Sequence, residues 1–231
     1  MKTSLKRILP ILLAIVIICS IGWYLFVYDT DFTRDLLLTQ ARLLESNGNH
    51  TTAAWFYDLA YRHSGNSEAV VIELAEQFKA NGNYSKAEYT LSNAISKGGS
   101  AELYIALCKT YVEQDKLLDA VTMLDNVADP EIKAQLDKRR PAAPSATPAP
   151  GFYSQYINVT IESNSGTLYA SADGEYPSME EDLYEDGVTL VAGENTIYAV
   201  AVGEDGLVSP LSILGYTVGG VIEEVTLSDS A

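Results

Sequence analysis

Ser46-Asn-Gly48-Asn-His50-Thr-Thr-Ala53 and Ala80-Asn-Gly82-Asn-Tyr84-Ser-Lys-Ala87 are one motif occurring twice, with both its glycines and its alanines 34 residues apart. A third copy, Glu113-Gln-Asp115-Lys-Leu117-Leu-Asp-Ala120, follows at a spacing one residue shorter. Seven residues after each marked alanine stand Ala60, Ala94 and Val127. Upstream, the small residues Ala41, Ala75 and Cys108 each precede a large one by three: Leu44, Phe78 and Tyr111. A fixed period of this length predicts stacked supersecondary units. Each unit is expected to be two antiparallel helices joined by a short turn. Small residues at the crossings let backbones approach, and the large ones fill between them. Gly48 and Gly82 stand where the first helix must end, a place that favours positive φ.

This pattern resembles the tetratricopeptide repeat over about 34–128. Leu37 and Val71 stand where that family favours an aromatic, and the third copy supplies one as Tyr104. Asp129-Pro130 is expected to open a short helix through Arg140 that caps the array. The resemblance implies a groove lined by the first helix of each pair, open to a protein or peptide partner. By spacing, its residues are Leu38, Arg42, Ile72, Glu76, Lys79, Ile105, Lys109 and Val112. Trp55, on a second helix, reads as packing between repeats.

Outward from the repeats, charge divides the chain. Of a formal net charge of −16, residues 141–231 supply −14, since they hold fourteen carboxylates and no Lys or Arg. Such a break argues for separately composed modules. An acidic surface repels phosphate, so nucleic acid is not an expected partner. Cys19 and Cys108 are far apart in pattern, and no disulfide is expected. With only His50 and His63 besides, a structural zinc site is not expected either.

Residues 1–7 are basic, and 8–28 form an apolar run ending in Trp23, Tyr24 and Tyr28. About twenty helical residues span a bilayer core, and interfacial aromatics fit its edge. The expectation is a single transmembrane helix with the N terminus cytoplasmic and the rest extracytoplasmic, an anchored cell-surface protein. The run is longer and bulkier at its end than a cleaved signal peptide.

Residues 141–150, Pro141-Ala-Ala-Pro-Ser-Ala-Thr-Pro-Ala-Pro150, read as an extended Pro/Ala spacer. After it the period changes to two, as in Ile157, Val159 and Ile161, and again in 196–202 and 214–218. Asp173-Gly174 and Asp205-Gly206 are turn dipeptides. Gly166-Thr-Leu-Tyr169-Ala-Ser-Ala-Asp173-Gly174-Glu-Tyr-Pro177, then Gly193-Glu-Asn-Thr196-Ile-Tyr-Ala-Val-Ala-Val202, then Gly206-Leu-Val-Ser209 resemble the C-terminal domain of chitobiases and β-hexosaminidases, over about 148–218. That domain is a β-sandwich also joined to unrelated bacterial surface proteins. The resemblance implies an accessory module without the enzymes' catalytic barrel.

The expected fold class is therefore multidomain α plus β: one transmembrane helix, a TPR-like α-solenoid over 29–140, then an all-β immunoglobulin-like sandwich over 151–218 and a tail, 219–231. The expected role is a non-enzymatic scaffold, with no catalytic, cofactor or metal site. The alternative is a cell-wall or carbohydrate-binding protein in which Phe152, Tyr153, Tyr156, Tyr176 and Tyr184 stack on sugar rings. The carboxylates Asp173, Glu175, Glu180, Glu181 and Asp182 lack the spacing of a calcium loop and read as solvated acidic turns.

Overall fold

The computed structural model describes residues 16, 19–20, 22–24, 30–63 and 67–219. They fall into two compact units that divide after Gly99.

In the first unit α1 (Thr30–Ser46) pairs with α2 (His50–His63), and α3 (Glu68–Ala80) with α4 (Tyr84–Ile95). Both hairpin turns are built alike. Gly48 (φ +74) donates its N–H to Glu45 C=O at 2.8 Å, and Asn49 N–H donates to Leu44 C=O at 2.9 Å. Gly82 (φ +71) and Asn83 repeat this on Lys79 and Phe78, at 2.7 and 2.8 Å. A left-handed residue here turns the chain back so that the helix's last carbonyls find partners. Asn49 and Asn83 then cap the next helix, their Oδ1 atoms accepting from Thr52 N–H (3.3 Å) and Lys86 N–H (3.2 Å). Two of the glycosylation-like triplets in the sequence, Asn49-His-Thr51 and Asn83-Tyr-Ser85, are thus turn chemistry. Ala41, Ala53 and Ala60 have no exposed surface, and they share a core with Leu37, Tyr57 and Leu74.

The second unit opens with α5 (Ala101–Val112), α6 (Leu117–Asp125) and α7 (Pro130–Asp137). In its turn, Asp115 (φ +57) occupies the place of the glycines, with the same bonds: Asp115 N–H to Val112 C=O and Lys116 N–H to Tyr111 C=O, at 2.9 and 3.0 Å. The strands follow: β1 (Ser145–Thr147), β2 (Gly151–Tyr153), β3 (Asn158–Glu162), β4 (Thr167–Ser171), β5 (Val188–Thr189), β6 (Gly193–Val202) and β7 (Ser212–Val218). They form a three-stranded sheet, β1-β3-β5, and a four-stranded sheet, β2-β7-β6-β4. β2 runs parallel to β7, and the other pairings are antiparallel. Val159, Ile161, Ile197, Ala199, Leu214 and Tyr216 make the core that the sheets share. Side chains alternate across a strand, so Val200 points to the other face of β6. There Val200, Tyr169, Leu207 and Val208 form a second core with Ile105, Cys108, Leu117, Val121, Leu124 and Leu136 from the helices. Arg140 fixes the junction: its Nε donates to Val208 C=O at 2.9 Å and its Nη1 to Asp125 Oδ1 at 2.7 Å.

Several expectations are corrected. Among the described residues no helix is long and apolar enough to cross a membrane. Most of the run 8–28 lies outside the described residues; Val16, Trp23 and Tyr24 within it are exposed. The single-pass transmembrane helix does not stand, nor does the placement of cytoplasmic N terminus and extracytoplasmic domains that rested on it. The fold class is mixed α/β, helices with two small sheets, rather than a solenoid followed by a separate all-β sandwich. Its physical reason is the apolar outer face of β4 and β6, which α5–α7 cover. The period-34 pattern runs on into that third hairpin, but the compact units divide just before it.

The Pro/Ala stretch is also not a free spacer. β1 lies within it, with Ser145 opposite Glu162 and Thr147 opposite Thr160. Pro144 C=O accepts from Ser212 Oγ at 2.6 Å, and Pro148 C=O from Tyr216 Oη at 2.8 Å. A proline lacks the N–H but keeps a good acceptor, so a Pro-rich segment serves at a sheet edge. The tail beyond Gly219 lies outside the described residues.

Candidate functional site

The eight residues expected to line a groove are distributed over both units. In the first, Leu38 is buried in the core and Ile72 half-buried. Arg42 bonds Glu73 across α1 and α3 at 3.0 Å, which raises its guanidinium pKa further. Lys79 is buried, its Nζ 2.9 Å from Glu76 Oε1. These charges answer one another along the helices. In the second unit Ile105 is core, Val112 packs against that core, and the stem of Lys109 lies over Gly206: a Cβ there would meet Lys109 Cγ at 2.7 Å. The sheet layer of the same unit already occupies this face of the third hairpin.

A different surface of the first unit is hollow. One wall is α2, presenting Thr51, Trp55 and Asp58 on successive turns; the other is the start of α4, with Asn83 and Lys86; Phe78 and Asn81 from the end of α3 lie between. The cleft holds about 530 Å³. It adjoins a smaller recess of about 280 Å³ that shares Asp58, Phe78 and Lys86 and adds Tyr61, Tyr89 and Asn93. Trp55 is 56% exposed and Tyr89 73%. The Trp55 ring is held edge-on against the half-buried Phe56, with centroids 4.9 Å apart. Lys86 Nζ sits 5.5 Å over the Phe78 ring. Thr51 Oγ1 donates to Asn81 Oδ1 at 2.9 Å, tying the α2 wall to the end of α3, and Asp58 is paired with Arg62 at 2.7 Å.

Sequence reading placed Trp55 in packing between repeats and did not single out Tyr89. The signal was present. Trp55 and Tyr89 are 34 residues apart, the same place in successive copies, and the third copy has Thr122 there. A repeated aromatic at an outward position of the second helix is surplus to the core, which the alanines fill.

Of the five candidate ring-stacking aromatics, the fold withdraws two. Tyr153 Oη donates to Ala149 C=O at 2.6 Å and its ring lies against Tyr216; Tyr184 Oη accepts from Ile161 N–H at 2.8 Å. Phe152, Tyr156 and Tyr176 are exposed. The acidic residues of the 173–182 turn are engaged locally: Asp173 accepts from Ser171 Oγ and from Glu175 N–H, the first of which chiefly lowers its pKa, and Asp182 Oδ2 accepts from Ser178 N–H at 2.8 Å. Among the described residues no group of three or more His, Cys, Asp or Glu is placed to hold a metal.

No protein-family model matches the chain, and no curated protein is similar to it. Among solved structures it is similar to the N-terminal part of the bacterial S-layer protein SbsC, at 13% identity over 85% of this chain and 57% of that chain. The chain thus spans little more than half the length of that structure. The TM-score is 0.20, too low to establish a shared fold.

Proposed function

We propose that the protein is a non-enzymatic scaffold whose first unit binds an extended peptide segment of a partner protein. The carrying observation is that Trp55 and Tyr89, equivalent residues of successive repeats, are both exposed, one lining the cleft and the other the recess that adjoins it. Large apolar patches left open on a surface mark interaction sites, and Trp and Tyr are the residues that most often dominate binding energy there. The resemblance of the spacing to tetratricopeptide repeats supports the same reading, though the surface used is the second-helix side rather than the expected first-helix groove. Lys86 adds a cation from the α4 wall, over the Phe78 ring. Its natural counterpart is an acidic residue flanked by apolar ones. The sheet-bearing unit then serves as an accessory body.

Peptide display selected against the full chain tests this. The expected product is a family of peptides with an apolar anchor and a neighbouring Asp or Glu. Binding of a selected peptide should fall at least tenfold in Trp55→Ala and in Lys86→Glu. Failure to select any peptide whose binding depends on Trp55 would overturn the reading.

A further inference from the structure

The four-stranded sheet is covered on its outer face only along part of its length. Strand register assigns that face: Val200 and Tyr169 are opposite one another and buried under the helices, and the half-buried Val202 at the end of β6 packs against the same core. Two residues earlier Tyr198 pairs with Ile213 of β7, and Ile213 is 62% exposed. From there β7 shows Gly215 and Thr217 outward, both exposed, and Phe152 of β2 lies opposite Thr217 at 72% exposure. Tyr176 closes the other side, its ring 5.0 Å from that of Tyr198. A Cβ added at Gly215 would meet nothing within 4 Å, so the middle of the strip is open. The result is a strip whose middle, Gly215, Thr196 and Thr217, is small or hydroxyl-bearing, with Ile213 and Tyr198 at one end and an aromatic ring at either edge.

We infer that this strip binds a linear glycan without acidic groups. Its dimensions favour a narrow chain over a protein. From Ile213 to Thr217, about 14 Å along β7, and three strand spacings across, the strip covers roughly 200 Å², against about 800 Å² per partner in a stable protein interface. Aromatic faces at the edges suit the C–H faces of sugar rings, while Thr217 and Thr196 offer hydroxyls to hydrogen-bond along the floor. Charge narrows the choice. Residues 141–231 carry fourteen carboxylates and no Lys or Arg, and Glu194 lies opposite Thr217 at the end of the strip. A uronate or phosphate polymer meets repulsion there, whereas a neutral glycan does not. The inference is independent of the peptide cleft, which lies in the other unit.

Affinity electrophoresis of the full chain through gels containing hydroxyethylcellulose, xylan or glucomannan tests it, with polygalacturonate as the acidic control. Retardation by at least one neutral polymer and by none of the acidic one is expected. Phe152→Ala and Tyr176→Ala should each weaken the retardation at least fivefold, and Gly215→Arg should abolish it by filling the floor. Leu43→Ala, an exposed apolar residue of α1 in the other unit, should leave it unchanged, and melting curves verify that each variant is folded. No retardation by any neutral polymer, equal loss in Leu43→Ala, or preference for polygalacturonate each overturns the inference.

Discussion

The carboxylate of Asp115 accepts the backbone N–H of Met179 at 2.6 Å, from the left-handed turn between α5 and α6 to the loop that follows β4. In the first two repeats that turn is made by glycine, for which positive φ carries no steric cost. Aspartate is among the few other residues that tolerate it. The side chain that replaces glycine's freedom is the one that ties the third hairpin to the sheet layer.

Asp115→Ala should therefore lose twice, once through backbone strain and once through the missing acceptor, for about 2–3 kcal/mol. Asp115→Gly relieves the strain while losing the bond and should stay within about 1 kcal/mol of wild type. Urea denaturation of the two variants checks the order. A larger loss in glycine than in alanine would contradict the account.

Cys108 has no exposed surface, and burial pushes its thiol up to about 11 from an ordinary value near 9. The neutral thiol is the form that the fold favours. Its contribution is thus complete below about pH 9 and is lost as pH rises through the folded value. In Cys19→Ser, maleimide should fail to label the folded protein at pH 8 and should label one site in denaturant. Cys108→Ala should flatten part of the alkaline fall in stability, a part on the order of 2–3 kcal/mol.

Helices α5–α7 cover Tyr169, Val200, Leu207 and Val208, which sheet pairing alone leaves bare. A fragment of residues 100–219 should unfold cooperatively with native-like spectra. A fragment of residues 141–219 should bind apolar dyes and aggregate. Equal stability of the two fragments would show that the helical layer is dispensable.

Asn83 caps α4, and Asn83→Ala should cost about 1 kcal/mol. At Gly82 an added Cβ meets nothing within 4 Å, so the cost of Gly82→Ala is that of the positive φ alone, about 1 kcal/mol. Gly82→Asn should be milder than Gly82→Ala in the same melt.

What the chain disclosed in its letters was local. Gly48, Gly82, Asn49 and Asn83 act within a few residues of themselves, so their spacing stated their roles. The alternation of Val159 with Ile161 stated a strand for the same reason. The partner of the third hairpin was not legible, because Ile105 and Leu117 read as apolar whether a fourth repeat or a sheet covers them. Residues 141–150 misled through composition: prolines indicate an extended backbone, and an extended backbone is also what an edge strand needs. The apolar run at the chain's start suggested a membrane helix by hydropathy alone, and among the described residues no helix meets that requirement. The cleft was half legible, since the period that revealed the repeats also places Trp55 and Tyr89 in register.

Arg139 and Arg140 are the last cations in the sequence, and both reach carboxylates or carbonyls of their own unit: Arg139 Nε lies 3.5 Å from Asp205, and Arg140 holds the Val208 carbonyl. The body of strands manufactures no counter-ions of its own. Among the described residues, a cation reaches a carboxylate of that body from Arg139 alone, at Asp205, so its acidic surface is left to mobile cations of the solvent.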